Sequence, residues 1–174
     1  MFIGHLPAGY LTAAVFLSKD RSHGVQRKLR WAAALVGSVF PDLDLIYFYT
    51  LGGRQTLHHH YWTHLPFVWF CVAAVAAWHP IGRIFVASVF VHLILDTIAG
   101  GILWLWPFDP VSVVLVDVAA AHGWWVWNFV FHWSFSFEIV VTLAAILVWR
   151  NRRREGRGRG PNRFPVGTGR SAGP

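Results

Sequence analysis

The chain carries five long stretches in which apolar residues follow one another with few breaks: Phe2–Leu17, Trp31–Leu51, Leu65–Trp78, Ile84–Ala99 and Phe129–Trp149. None shows the strict alternation of a half-buried strand, and runs of this length that are apolar on every face predict helices buried in a core or in lipid. A standard membrane span needs about 20 residues, so several of these are short. Leu65–Trp78 is the weakest: it reads as a tilted helix, a re-entrant segment, or a span that borrows His79–Ile84. Val111–Ala121 is apolar as well, but Asp117 interrupts it and Gly123 follows, which places it at the surface. The pattern predicts an all-α fold, a polytopic transmembrane helical bundle with about five membrane segments.

Composition points the same way. Hydrophobic residues make up 55% of the 174 and charged residues 13%, against about a quarter charged in soluble domains. The net charge of +7 does not favour nucleic acid, because the basic residues are not interleaved with aromatics on one surface. They form two blocks, Lys19–Arg30 and Arg150–Arg170, which hold thirteen of the fifteen Lys and Arg residues, Arg54 and Arg83 being the others. Positive charge stays on the cytoplasmic side. Five spans with the N-terminus outside put both blocks inside, with Trp31 and Trp149 as inner belt residues. Trp104, Trp106, Trp124, Trp125 and Trp127 then gather at the outer interface. Residues 1–150 form the membrane-embedded domain, and the Arg-, Gly- and Pro-rich segment 151–174 is expected as a disordered basic tail in the cytoplasm. The N-terminus lacks a basic n-region, so it is read as a retained first segment. Cys71 is the single cysteine, which rules out an intrachain disulfide.

Ionisable groups inside apolar runs are costly, and each needs a partner, neutralisation or water. His5 opens the first run, Phe40-Pro41-Asp42-Leu43-Asp44 lies in the second, His92 and Asp96 in the fourth, and His58, His59, His60 and His64 precede the third. His92 and Asp96 are four apart, so a helix sets them on one face. Asp42 and Asp44 would diverge by about 200° on a regular helix, but Pro41 opens the ladder there and turns both inward. A break at that depth also frees carbonyls that must find a partner. Helices of alternating direction bring all these groups to one outer level, as a site for divalent metal requires. Three consecutive histidines cannot all face one way, so His59 and His64 are favoured over His58 and His60. His132 and Glu138 are expected to pair with each other, while His23 and His79 fall on the inner side.

Gly4-His5, Pro41-Asp42-Leu43-Asp44, Thr63-His64, His92-x-x-x-Asp96 and Trp106-Pro107-Phe108, in this order over about residues 1–110, resemble the bacterial and archaeal integral-membrane proteins described as membrane-bound metal-dependent hydrolases. That family is in turn similar to zinc-dependent phospholipase C and the S1/P1 nucleases. Its middle motif, His-Arg-Gly-x-Thr-His-Ser, reads His59-His60-Tyr61-Trp62-Thr63-His64-Leu65 here, which keeps both histidines and the Thr but lacks the Arg, Gly and Ser. The resemblance implies an inner-membrane hydrolase holding two or more divalent ions, zinc before manganese or magnesium. His5, Asp42, Asp44, His64, His92 and Asp96 are then the expected ligands, with Asp44 as bridge or general base and His59 assisting catalysis. A site at the outer interface suits an amphiphile, such as a phospholipid or polyprenyl phosphate, with its headgroup at the metals and its tail in lipid. The rival readings are a metal transporter or sensor, whose ligands would be spread through the bilayer, a haem protein, which has no use for three aspartates, and a structural protein.

Overall fold

The computed structural model describes residues 3–52, 57–119 and 121–158. Arg54 and residues 159–174 of the expected tail lie outside them. Seven α-helices follow one another: α1 His5–Phe16, α2 Gly24–Gly37, α3 Asp44–Thr50, α4 Pro66–Ala76, α5 Pro80–Asp96, α6 Trp125–Val130 and α7 Ser134–Gly158. Single 3-10 turns occur at Pro41–Leu43, His58–His60 and Trp62–His64. Among the described residues there is no strand, only one isolated bridge between Ile102 and Val113. The all-α expectation holds.

The expected spans map onto these helices with altered lengths. Within α7, Ser134–Glu155 is the one stretch among the described residues that is long and apolar enough to cross a membrane unaided. The second expected span is a broken pair, Gly24–Gly37 followed by Pro41–Thr50 at 59°. Helix α4 has 11 residues and α5 has 17, about 17 and 26 Å of rise, so five full spans are not what the helices themselves display. The boundaries have local causes. Pro66 and Pro80 start α4 and α5 at first-turn positions, where a missing N–H removes no helical bond. Helix α7 runs eight residues past Arg150 to Gly158, so this part of the expected disordered tail is helical.

Helix α5 is the centre of the bundle, packed against α1, α2 and α4, while α1 also contacts α2 and α7. Ala13, Leu17, Ala34 and Ile84 form one buried cluster, with Trp31 against it. Trp69, Val89, Leu93 and Ile102 form a second, flanked by Phe40, Phe85, Phe90 and Trp104. Close approach depends on glycine: a Cβ on Gly9 would lie 2.2 Å from Ser38 Oγ, and one on Gly37 would lie 2.4 Å from the Phe85 carbonyl oxygen.

The two basic blocks meet at one end of the bundle. The Arg152 guanidinium donates to the Ala14 carbonyl at 2.6 Å and lies over the Trp31 ring at 5.7 Å, and Arg30 pairs with Asp20 at 2.8 Å. At the other end the loop after α5 folds back on the helix terminus, Leu115 N–H donating to the Thr97 carbonyl and Val116 N–H to Ile98. Most of Val111–Ala119 is exposed, as expected of a surface segment. Polarity is inverted relative to a soluble protein. His5, Asp44, His64, His92, Asp96 and Glu138 are buried, while Val15, Val36, Leu51, Val75, Trp78 and Leu147 are exposed, an arrangement suited to lipid outside and a polar interior.

Candidate metal centre

The site forms where the chain between α2 and α3 breaks beside the C-terminal turn of α5. Helix α2 ends at Gly37, and the ladder resumes as a 3-10 turn at Pro41. The Ser38 carbonyl, released by this break, accepts a hydrogen bond from His92 Nδ1 at 2.8 Å. A carbonyl cannot donate, so Nδ1 carries the proton and Nε2 of His92 presents a lone pair. His64, in the turn before α4, is fixed in the same sense. Its Nδ1 donates to Asp44 Oδ2 at 2.7 Å, and the Thr63 hydroxyl donates to the same oxygen at 2.6 Å. Trp69 Nε1 holds the Thr63 carbonyl at 2.7 Å and secures the turn.

These constraints aim His64 Nε2 and His92 Nε2 at each other across 3.3 Å. Two imidazole lone pairs do not approach so closely unless a proton or a cation lies between them. Asp96 Oδ2 is 2.9 Å from His92 Nε2 and 3.5 Å from His64 Nε2. Asp42 Oδ1 is 3.8 Å from each. Four donor atoms thus cluster, five of their six separations being 2.9, 3.3, 3.5, 3.8 and 3.8 Å. Zinc bonds of 2.0–2.2 Å in tetrahedral geometry set ligand atoms roughly 3.3–3.6 Å apart, so the residues fit such an ion with small side-chain adjustments.

The second oxygens of both carboxylates face His5. Its Nε2 is 3.0 Å from Asp96 Oδ1 and 4.0 Å from Asp42 Oδ2. The ring stacks on His92 at 3.9 Å between centroids with planes 20° apart, and its Nδ1 is buried without a hydrogen bond. On the other flank His59 Nε2 is 3.7 Å from Asp96 Oδ2. His5, Asp42, His92 and Asp96 can each offer one ligand atom within 4.8 Å of the others, and so can His58, His59 and His64. Asp96 touches both groups. Its two oxygens, like those of Asp42, face different neighbours, one toward His5 and the other toward His64 and His92.

Electrostatics differ within the histidine turn. Burial disfavours charge on His64, but the hydrogen bonds and charges of Asp44 and Asp96 outweigh it and push its pKa up to about 9. Burial dominates at His59 and drives it down to about 2 despite the nearby Asp96. His58 is also lowered by burial. His59 is therefore a neutral donor throughout the physiological range, whereas His64 holds a proton that a cation would displace.

Five of the six expected ligands, His5, Asp42, His64, His92 and Asp96, converge on one volume. Asp44 does not join either ligand group; its Oδ2 is committed to His64 Nδ1 and Thr63, so it orients a ligand where a direct ligand and base was expected. His59, the expected assisting residue, lies beside Asp96. His58 also lies here, its ring 5.4 Å from that of His64, while His60 is exposed. His132 and Glu138 do not pair as expected: His132 Nδ1 contacts Ser134 Oγ at 2.8 Å, and Glu138 accepts from the N–H groups of Ile3 and Gly4. Two supporting residues belong to none of the motifs. One is Ser38, which acts through its carbonyl. The other is Gly100, where a Cβ would lie 2.5 Å from His59 Cε1.

A helical chain that exposes apolar side chains and gathers imidazoles and carboxylates inside is an all-α membrane protein with a candidate metal centre. Its family is more specific. A model of the YdjM inner membrane protein family matches residues 1–159. The chain belongs to that family and is located in the bacterial inner membrane. No curated protein and no solved structure matches it. The family description carries a location and no activity, and none of these comparisons extends the resemblance to metal-dependent hydrolases or phospholipase C.

Proposed function

We propose that this protein is a membrane-embedded metal-dependent hydrolase that cleaves a phosphoester or other ester of an amphipathic substrate. The observation that carries the reading is the close approach of His64 Nε2, His92 Nε2, Asp96 Oδ2 and Asp42 Oδ1, with both tautomers fixed so that nitrogen lone pairs point inward. Zinc is the ion of choice for this mixed nitrogen and oxygen set. His5 and the remaining oxygens of Asp42 and Asp96 would hold a second ion. Bound there, divalent cations supply Lewis acidity and acidify a water for attack on an ester.

The chain's own groups divide the remaining tasks. Asp44 holds the His64 ring in register, and the Ser38 carbonyl does the same for His92. Asp42, with 29% of its side chain exposed against 1% for Asp96, marks the side from which substrate enters. His59, neutral and beside Asp96, is placed to lend a nitrogen lone pair to the centre. Exposed Trp62, Phe67, Trp106 and Phe108 lie close in sequence or space to the histidine turn and suit the lipid-headgroup boundary. The substrate class is accordingly a phospholipid or polyprenyl phosphate. We read the short helices as about five membrane segments, with both basic blocks and the C-terminus in the cytoplasm. Gathering of donor atoms within a few ångströms favours a fixed centre over a transport path.

The test is hydrolysis of lipid phosphoesters by purified protein in detergent with added zinc, for the wild type and for Asp42→Ala and His92→Ala. Turnover by the wild type, abolished in both variants and by chelation, is the expected result. Chelator-insensitive turnover, or turnover equal in all three proteins, would refute the proposal.

A further inference from the structure

Helix α1 delivers His5 to the centre from its first turn, yet it has none of the usual means of holding that turn. Its N-cap is Gly4, no side chain of its own caps it, and no acidic residue occupies the first turn. The four leading N–H groups of a helix need partners, and here a distant helix supplies one. Glu138 of α7 is buried at 1% exposure, and its Oε2 accepts from Ile3 N–H at 2.5 Å and from Gly4 N–H at 3.0 Å. At the other end of α1 the Arg152 guanidinium, also from α7, donates to the Ala14 carbonyl at 2.6 Å. The two helices run parallel. Glu138 and Arg152 are about 21 Å apart along α7, and the 12 residues of α1 span about 18 Å, so the pair brackets α1 with each charge facing the opposite pole of its dipole.

We infer that Glu138 is a positioning residue of the metal centre, a carboxylate cap that locks the first turn of α1 and so sets the depth and direction of the His5 imidazole. A buried carboxylate in a lipid-facing helix carries a desolvation cost. A residue needed only for packing would not require it. His5 begins one residue beyond the capped Gly4, its Nε2 is 3.0 Å from Asp96 Oδ1, and its ring is stacked on His92. Displacement of that turn therefore moves a ligand directly, whereas loss of Arg152 acts at Ala14, nine residues away. Helix α7 acts on the site through the Glu138 carboxylate, which accepts from the backbone N–H groups that lead into α1.

The inference rests on the metal-centre reading, and a double-mutant cycle separates the two. Zinc affinity would be measured in detergent by chelator competition for wild type, Glu138→Gln, His5→Ala and the double variant, with cobalt spectra of each. Glu138→Gln is expected to weaken binding roughly 10- to 100-fold, the range seen when a group supporting a metal ligand is lost, and to shift the cobalt spectrum. In the His5→Ala background the same change should alter affinity less than threefold, because the ligand through which Glu138 acts is gone. Glu138→Asp, which retains the charge with a shorter reach, should fall between, and it carries the cycle if the Gln variant does not fold. Equal affinity in wild type and Glu138 variants, or an undiminished loss in the His5→Ala background, overturns the positioning role alone. A wild type that binds no zinc overturns the metal-centre reading and this inference together.

Discussion

Asp44→Asn separates a ligand from an orienting carboxylate. In the structure Asp44 Oδ2 accepts from His64 Nδ1 at 2.7 Å and from the Thr63 hydroxyl at 2.6 Å. Asn preserves shape and leaves a carbonyl oxygen to accept, but it replaces a charge-assisted bond with a neutral one. Bonds to charged groups contribute about 1.5–3 kcal/mol and neutral ones about 0.5–1.5, so the loss is about 1–1.5 kcal/mol, or about tenfold in affinity. Asp44→Ala removes the acceptor altogether, frees the His64 ring to turn, and should approach a 100-fold loss. Neither change should reduce the number of ions bound at saturation. The assay is zinc titration against a chromophoric chelator in detergent, paired with elemental analysis of saturated protein. A drop of one full equivalent in Asp44→Asn would make Asp44 a ligand, and an unchanged affinity would deny it any role in holding His64; either result refutes the reasoning.

Three further outcomes follow from the same geometry. Since the His64 pKa is raised from 6.5 to about 9, its charge stabilises the cation-free fold fully below 6.5 and ceases to do so as pH climbs through about 9. Zinc affinity runs in the opposite direction, rising about tenfold per pH unit between these limits for the one displaced proton, and a flat affinity from pH 6.5 to 9 would remove His64 from the ligand set. Asp96→Ala should lower zinc content more than His5→Ala, because its two oxygens face both ion positions; equal losses by elemental analysis would contradict the bridge. Gly100→Ala places a Cβ 2.5 Å from His59 Cε1 and 2.8 Å from the Asp96 carbonyl, which should cost about 1–3 kcal/mol of stability and lower the melting temperature in detergent, whereas an unchanged melting temperature would show that the loop after α5 yields freely.

The candidate ligand positions were legible because each stands within or at the edge of an apolar run, where a carboxylate or imidazole is costly. His92 and Asp96 were paired by helical spacing, and the Pro41 break was visible as a feature that would release a carbonyl. What the sequence could not supply was the side of an imidazole on which a carboxylate lies. Asp42 and Asp44 differ by two residues and flank His64 at opposite nitrogens, one at 3.8 Å from Nε2 and one at 2.7 Å from Nδ1, a distinction set by three segments meeting in space. Glu138 was read with its near neighbour His132, although its actual partners, Ile3 and Gly4, are 135 and 134 residues away. Helix bounds depart from the apolar runs in both directions, α1 and α4 being shorter and α5 and α7 longer. Hydropathy registers apolar side chains, and it does not register that Gly37 and Pro41 end one helix and begin another.

Zinc X-ray absorption on the purified protein in detergent, read together with the zinc-to-protein ratio, addresses the centre most directly. The expected result is bound zinc with nitrogen and oxygen neighbours at about 2.0–2.2 Å and imidazole among them, with the ratio falling in His92→Ala. Protein that retains no zinc, or zinc bound equally well without His92, would contradict it.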